Sequence, residues 1–384
     1  MSKQDFLRRM PEAASAFSRR ARLAERLHID FFLLLLLMLL TVIGLTVLYS
    51  ASGHHMPSVE KQGTFFMIAY VTMFVVAQIP VEFMRRMAPF AYVGGVLLLV
   101  AVTIFGNVAM GAQRWLQIGG FRFQPSEIMK LAMPIAVAAY LSRGFLPPRF
   151  MHVMVVLALI GLPTALIIEQ PDLGTSILVA TSGIMVLFFA GLLWRYIAAA
   201  VVLFGASLWP IWHYMLHDYQ RQRVLTMLDP TQDPLGTGWN IIQSKTAIGS
   251  GGLSGKGWME GTQSRLDFLP EGHTDFIIAV MSEEFGLLGV LLLLTIYAMV
   301  IIRGLMIAVN SQNSFGRLLA AAVSSTFFVY VFVNMGMVSG MLPVVGVPLP
   351  LISQGGTAIV ALFAGFGLLM AISTEKKRVM TPQA

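Results

Sequence analysis

Cysteine is absent from this 384-residue chain. That excludes disulfides, thiolate metal sites and cysteine nucleophiles. Charge is also scarce: only 12% of residues are charged, against about 25% in an ordinary soluble domain. With 57% hydrophobic residues, the composition excludes a water-soluble globule, a disordered chain and a small secreted disulfide scaffold. Histidine is sparse and badly placed for metal. His213 and His217 are four apart, but Tyr214 stands where the zincin pattern needs Glu, and His54-His55 reads as a solvated loop pair. The net charge of +7 is read first as an orientation signal, not as a nucleic-acid footprint.

What is present is a series of apolar runs. Residues 31–49 carry no charge and are long enough to cross a bilayer core of about 30 Å as a helix. A basic head precedes them without a signal-peptide cleavage site, so the first span is expected to be retained. Further runs fall at about 64–80, 89–108, 127–142, 152–168, 173–191, 195–213, 275–302, 317–340 and 354–373. The expected fold is all-α: a polytopic integral membrane protein with ten transmembrane helices and a large outward loop between helices 7 and 8. The expected organisation is a basic cytoplasmic head at 1–30, a membrane domain at 31–373 that includes a periplasmic loop at 214–274, and a basic cytoplasmic tail at 374–384. On the side of the N-terminus stand 17 Lys and Arg, among them Arg85, Arg86, Lys376, Lys377 and Arg378, against three in the short opposite loops (Lys61, Arg114 and Arg122). By the positive-inside rule both termini are cytoplasmic. No internal repeat is evident, which counts mildly against a transporter.

The 214–274 loop is too long to be structureless without a reason. It contains Gly249-Ser250-Gly251-Gly252-Leu253-Ser254-Gly255-Lys256-Gly257. Glycines permit close backbone approach and can aim N–H groups at an anion. Arg221, Arg223, Lys245 and Lys256 add positive charge. The run suits a phosphate group at the membrane surface, or else a loop folded over the helices for packing alone. It is not a nucleotide-binding P-loop, because Ser250 and Gly257 occupy the places of an essential Gly and Ser/Thr.

Polar residues elsewhere mark three further places. Asp275, in His273-Thr274-Asp275-Phe276, opens the eighth run, where it can cap a helix or serve as a partly desolvated general base. Glu283 and Glu284 lie further into the same run, and acids at that depth are functional candidates or structural pairs. Glu127 and Lys130, three apart after Gln124-Pro125-Ser126, can pair on one helix face towards an internal cavity, and structural pairing and substrate contact both remain open. Arg114-Trp115 lies on the outward side, where Arg can meet phosphate. Asp172, in Glu169-Gln170-Pro171-Asp172, can cap the sixth span or help hold a cation.

The C-terminal stretch reads Asn334-x5-Gly340-Met341-x-Pro343-Val344-x-Gly346-Val347-x3-Leu351-Ile352-Ser353-Gln354-Gly355-Gly356-Thr357-Ala358. It resembles the signature of the SEDS family (shape, elongation, division and sporulation proteins). Gly238-Trp239-Asn240-Ile241-Ile242-Gln243-Ser244, the glycine run, Pro270-Glu271-x-His273-Thr274-Asp275-Phe276, Gln124-Pro125-Ser126-Glu127 and Gln170-Pro171-Asp172-Leu173-Gly174 match too. The similarity covers nearly the whole chain from about residue 30. The usual Ser-Tyr-Gly-Gly is Ser-Gln-Gly-Gly here, which weakens any role for an aromatic hydroxyl at Gln354.

The resemblance implies a peptidoglycan glycosyltransferase of the cytoplasmic (inner) membrane, with the wording of the elongation branch and the division branch as the alternative. It implies polymerisation of lipid II, an undecaprenyl-pyrophosphate-linked disaccharide-peptide, at the outer leaflet. It also implies a class B penicillin-binding protein transpeptidase as partner, within the elongation machinery. The family's catalytic aspartate falls on Asp275 and its intramembrane pair on Glu127 and Lys130. Arg114, Arg223, Lys245, Lys256 and Ser353 are the remaining candidates for substrate contact. No cofactor is fixed; a divalent cation, Mg or Mn, could assist the leaving pyrophosphate. The competing class is a flippase for the same lipid-linked precursor, which would place its key charges near the midplane and not at the outer mouth.

Overall fold

The computed structural model describes residues 27–109, 112–118, 121–144, 146–216, 218–233, 236–262 and 272–375. The basic head before residue 27, the basic tail after residue 375, Arg265 and the Pro270-Glu271 motif lie outside the described residues. The helices are α1 (Phe31–Ala51), α2 (Met56–Ala77), α3 (Val81–Phe105), α4 (Pro125–Leu141), α5 (Phe150–Glu169), α6 (Leu173–Phe189), α7 (Trp194–Pro210), α8 (Asp218–Leu228), α9 (Thr237–Ser250), α10 (Ile277–Asn310), α11 (Ser314–Val338) and α12 (Thr357–Ser373). A π-helical turn, Ile211–Met215, extends α7. Among the described residues, α1, α3, α5, α7 with its π turn, α10 and α11 are six helices long and apolar enough to cross a bilayer, and α6 and α12 are shorter apolar helices.

Side-chain chemistry explains the helix ends. Asp30 accepts from Leu33 N at 3.0 Å to start α1, and Asp172 accepts from Thr175 N at 3.2 Å to start α6. These are N-caps that satisfy otherwise orphaned amides. Helix α3 begins eight residues before the apolar run expected at 89, because Glu82 bonds Arg85 at 2.7 Å and Arg86 at 3.4 Å within its first turns.

Three features depart from the expectation. The fold is mostly helical but not all-α, since β1 (Asn107–Ala109), β2 (Ala112–Ile118) and β3 (Phe121–Phe123) form an antiparallel sheet. Ile118 pairs with Phe121, and the residues between them are Gly-Gly, a dipeptide that two-residue hairpins favour. The 214–274 segment is not a plain loop, because it holds α8 and α9. The eighth apolar run extends to Asn310 and is broken at Gly286, whose φ of 63° and ψ of −165° only glycine adopts readily.

Helices α4, α6, α11 and α12 meet at the centre, with α2 on α12, α3 on α4, α5 on α6 and α10 against α1 and α11. In lipid the hydrophobic effect does not drive helices together, so close packing must. Gly367 of α12 shows the device: a Cβ there would lie 2.6 Å from Met73 O of α2. Helix α7 differs, because none of its residues is buried and Val201, Val202, Leu203 and Phe204 are all exposed.

Candidate active site

A cavity of about 710 Å³ opens where α2, the sheet, α4, α6, α11, the 346–356 loop and the start of α12 converge. Four cations line it: Lys61 of α2, Arg114 of β2, Arg122 of β3 and Lys130 of α4. Two carboxylates, Glu127 and Asp172, stand among them. The remaining wall is largely apolar, with Phe65, Leu178, Leu349 and Leu362. Such a cavity suits an anionic head joined to an apolar body.

Local sequence places each group. Pro125 occupies the first turn of α4, a position where its missing N–H costs nothing. One turn on, Lys130 Nζ donates to Glu127 Oε1 at 2.7 Å, with both side chains 9% exposed. Lys130 also lies 5.3 Å from the centre of the Tyr330 ring. Glu127 Oε2 is buried without a hydrogen-bond partner, so the pair keeps a spare acceptor beside the cavity. Arg114 is braced: it donates to Pro171 O at 2.5 Å and stands 3.7 Å from Asp172 Oδ2. Asp172 also takes a 2.9 Å bond from Gln124 Nε2 and a 2.8 Å bond from the Thr175 hydroxyl. Of its two open readings, the cap is the one its contacts satisfy.

Asp275 sits in the turn just before α10, half-buried. The N-cap position of α10 is Phe276, and no side chain caps it. Its carboxylate faces Gly346, where a Cβ would stand 3.6 Å from Oδ2. Gly346 and Thr274 both line the cavity, so Asp275 lies at its edge. Ser353 lines the wall, with its hydroxyl donating to Thr274 O at 2.6 Å and accepting from Leu349 N at 2.8 Å.

Three cations of the long segment, Arg223, Lys245 and Lys256, are placed elsewhere. The glycine run does not cradle an anion at the cavity; it is stitched to the broken part of α10. Lys256 N donates to Glu283 O and Gly257 N to Glu284 O, each at 3.0 Å, while Leu287 N and Leu288 N return bonds to Gly252 O and Leu253 O. A Cβ on Gly255 would collide with Glu284 O, and one on Gly251 with Ser282 O. The glycines serve close approach of two backbones. Lys256 Nζ donates to Glu283 Oε1 at 2.6 Å, and Thr262 N and its hydroxyl reach the same oxygen at 2.8 and 3.0 Å. Glu284 accepts from the Ser50 hydroxyl of α1. Lys245 is exposed on α9 with its side chain across Gly340, and Arg223 is half-buried on α8. None of Lys256, Lys245 and Arg223 lines the cavity.

The cavity also contains residues that the polar motifs did not single out: Lys61, Gln62, Arg122 and Tyr330. Gln62 follows Glu60 and Lys61 in the polar first turns of α2, which hides it in the sequence, yet it is 2% exposed. Among the described residues no three His, Asp or Glu side chains stand together as a metal cage.

A helical bundle with six bilayer-length apolar helices among its described residues, and a cation-rich cavity, is an integral membrane protein. This chain belongs to the FtsW/RodA/SpoVE family of cell cycle proteins, which it matches over residues 30–378; this is the SEDS family its motifs resemble. It is 53% identical to the peptidoglycan glycosyltransferase MrdB of Escherichia coli K12 over 353 residues, covering 92% of this chain and 95% of that protein. It is 36% identical to the probable peptidoglycan glycosyltransferase FtsW of Geobacter metallireducens over 373 residues, covering 93% and 98%. Among solved structures, one from a peptidoglycan synthase complex that coordinates polymerization and crosslinking aligns with TM-score 0.80 at 29% identity, covering 91% of this chain and 98% of that one. The rod shape determining protein RodA of Thermus thermophilus aligns with TM-score 0.68 at 27% identity, covering 90% and 96%.

Proposed function

We propose that this chain is a peptidoglycan glycosyltransferase of the inner membrane, polymerising lipid II into glycan strands during cell elongation. The observation that carries this reading is the cavity: four cations and an apolar wall converge beside an aspartate at its edge, in a chain 53% identical to a named peptidoglycan glycosyltransferase. The relative greater likeness to MrdB than to FtsW supports the elongation role. Ten crossings, with both termini cytoplasmic and the 214–274 segment periplasmic, are the topology that the basic asymmetry supports. On this reading residues 1–30 and 374–384 flank a membrane domain at 31–373. The solved synthase complex supports a class B penicillin-binding protein transpeptidase as the partner.

The mechanism is inverting transfer. Asp275 takes the proton of the acceptor 4-hydroxyl, and that oxygen attacks the anomeric carbon of the strand carried on undecaprenyl pyrophosphate. The anomeric carbon–oxygen bond breaks, and the electron pair leaves with the pyrophosphate. Arg114, Arg122, Lys61 and Lys130 face the charge that develops there. Glu127 holds Lys130 oriented and offers its spare oxygen to a substrate donor. The side-chain cations neutralise the leaving pyrophosphate in this mechanism, and a divalent ion, Mg or Mn, bound there would add to that neutralisation. Lys245, Lys256 and Arg223 act outside the cavity, on the fold of the periplasmic segment.

Purified chain, with and without its transpeptidase, incubated with purified lipid II tests the reading. The expected product is a ladder of glycan strands, made more efficiently with the partner. Movement of lipid II across proteoliposomes without any polymer would favour the flippase instead.

A further inference from the structure

Three consecutive backbone carbonyls lead up to α10, those of His273, Thr274 and Asp275, and each is held from outside the turn. Gln354 N donates to His273 O at 3.0 Å. The Ser353 hydroxyl donates to Thr274 O at 2.6 Å. Asn334 Nδ2 donates to Asp275 O at 2.9 Å, and with its second hydrogen to Val347 O at 2.7 Å. Asn334 is fully buried on α11 and Ser353 is 2% exposed.

The holders are themselves held. Ser353 accepts from Leu349 N, which fixes its hydroxyl rotor on Thr274 O. Gln62 of α2 closes the set: its Nε2 donates to Ser353 O at 3.1 Å, and its Oε1 accepts from Gly355 N at 3.2 Å. Asn334 Oδ1 has no hydrogen-bond partner although it is buried. That amide is therefore placed for its two donor bonds, one of which holds Asp275. A buried acceptor left unmade is costly, so the arrangement is not one that burial alone selects.

These bonds join α2, α11, the 346–355 loop and the turn before α10. We propose that Asn334 and Ser353, braced by Gln62, are positioning residues that fix the Asp275 carboxylate against Gly346 at the cavity edge by gripping the carbonyls of Asp275 and Thr274, next to the backbone bond from Gln354 to His273. This rests on Asp275 being the base. The grip is needed because a displacement of about 1 Å at a reacting group can cost on the order of a hundredfold in rate.

The test uses the full chain with its transpeptidase, lipid II as substrate, and enzyme concentrated enough to read residual rates. The variants are Ser353→Ala, Ser353→Thr, Asn334→Leu, Asp275→Asn and the double variant Asp275→Asn/Ser353→Ala. Ser353→Ala and Asn334→Leu are expected to lower kcat at least about tenfold while KM for lipid II stays within about twofold. Ser353→Thr, which keeps the hydroxyl, is expected to recover most of the rate. The double variant should be no slower than Asp275→Asn alone, because a positioning residue has nothing left to position. Wild-type kcat in Ser353→Ala and Asn334→Leu overturns the proposal. So does a rise in KM without loss of kcat, which would make Ser353 a substrate contact, or a further loss in the double variant. If Ser353→Ala does not remain folded, Asn334→Leu and the Ser353→Thr rescue decide. Failure of the base reading is separately visible: Asp275→Asn at wild-type rate sinks that reading, whereas a dead Asp275→Asn beside active Ser353→Ala and Asn334→Leu sinks only the grip.

Discussion

Lys256 Nζ stands 2.6 Å from Glu283 Oε1, and that carboxylate is wholly buried where the glycine run meets α10. The pair closes a seam whose backbone bonds already join residues 252–257 to 283–288. Removing one partner of a buried pair strands the other charge, at roughly 3–5 kcal/mol. Lys256→Ala should therefore lower the thermal midpoint in detergent clearly. Glu283→Gln should cost less, since the amide oxygen can still accept from Thr262. A Lys256→Ala midpoint equal to wild type would remove the pair from the account of the seam.

The break in α10 gives a backbone prediction. Gly286→Ala forces a side chain into a region essentially reserved for glycine, at about 1–3 kcal/mol, and onto the backbone of Leu253 and Gly255. Gly249→Ala is the control, because its Cβ would meet open space on a helix. Thermal unfolding should show Gly286→Ala destabilised and Gly249→Ala equal to or above wild type. The reverse order would contradict the close approach.

Much of the site was legible because polar residues stand out against an apolar background. Asp275, Glu127, Lys130, Arg114 and Ser353 all lie in or at the edge of one cavity region. Composition misled where one residue type serves two purposes. Gly251, Gly252, Gly255 and Gly257 are as suitable for a phosphate nest as for two backbones in contact, and only tertiary structure shows the second use. Lys61 and Arg122 counted only as topology signals, because nothing local shows that α2 and β3 border the same space as α4. The sheet was missed because its strands are short and follow an apolar run directly.

Glu127 and Lys130 form the buried pair of the cavity itself. Glu127→Ala and Lys130→Ala should each impair folding or polymerisation. The swap Glu127→Lys/Lys130→Glu should regain monodisperse protein but not polymerisation, since it moves a cavity cation. Chromatographic profile and polymer yield separate the two effects. Full activity in both single variants would reject the pair as important.

Topology is testable because the chain has no cysteine. Cysteines introduced at Ser254, which is exposed, and at Ser2 should differ in intact spheroplasts. An impermeant thiol reagent should reach position 254 and not position 2. Labelling only at position 2 would invert the orientation.

The most direct measurement is polymerisation of lipid II by Asp275→Asn, in complex with the transpeptidase and at matched concentration. Asn keeps the size and the hydrogen-bonding shape of Asp but cannot serve well as a base, and a positioned acid–base group contributes about 10²–10⁴-fold. The account predicts a folded variant that inserts and binds its partner yet polymerises at least about a hundredfold more slowly. A folded Asp275→Asn that builds glycan strands of wild-type length at a wild-type rate would contradict it.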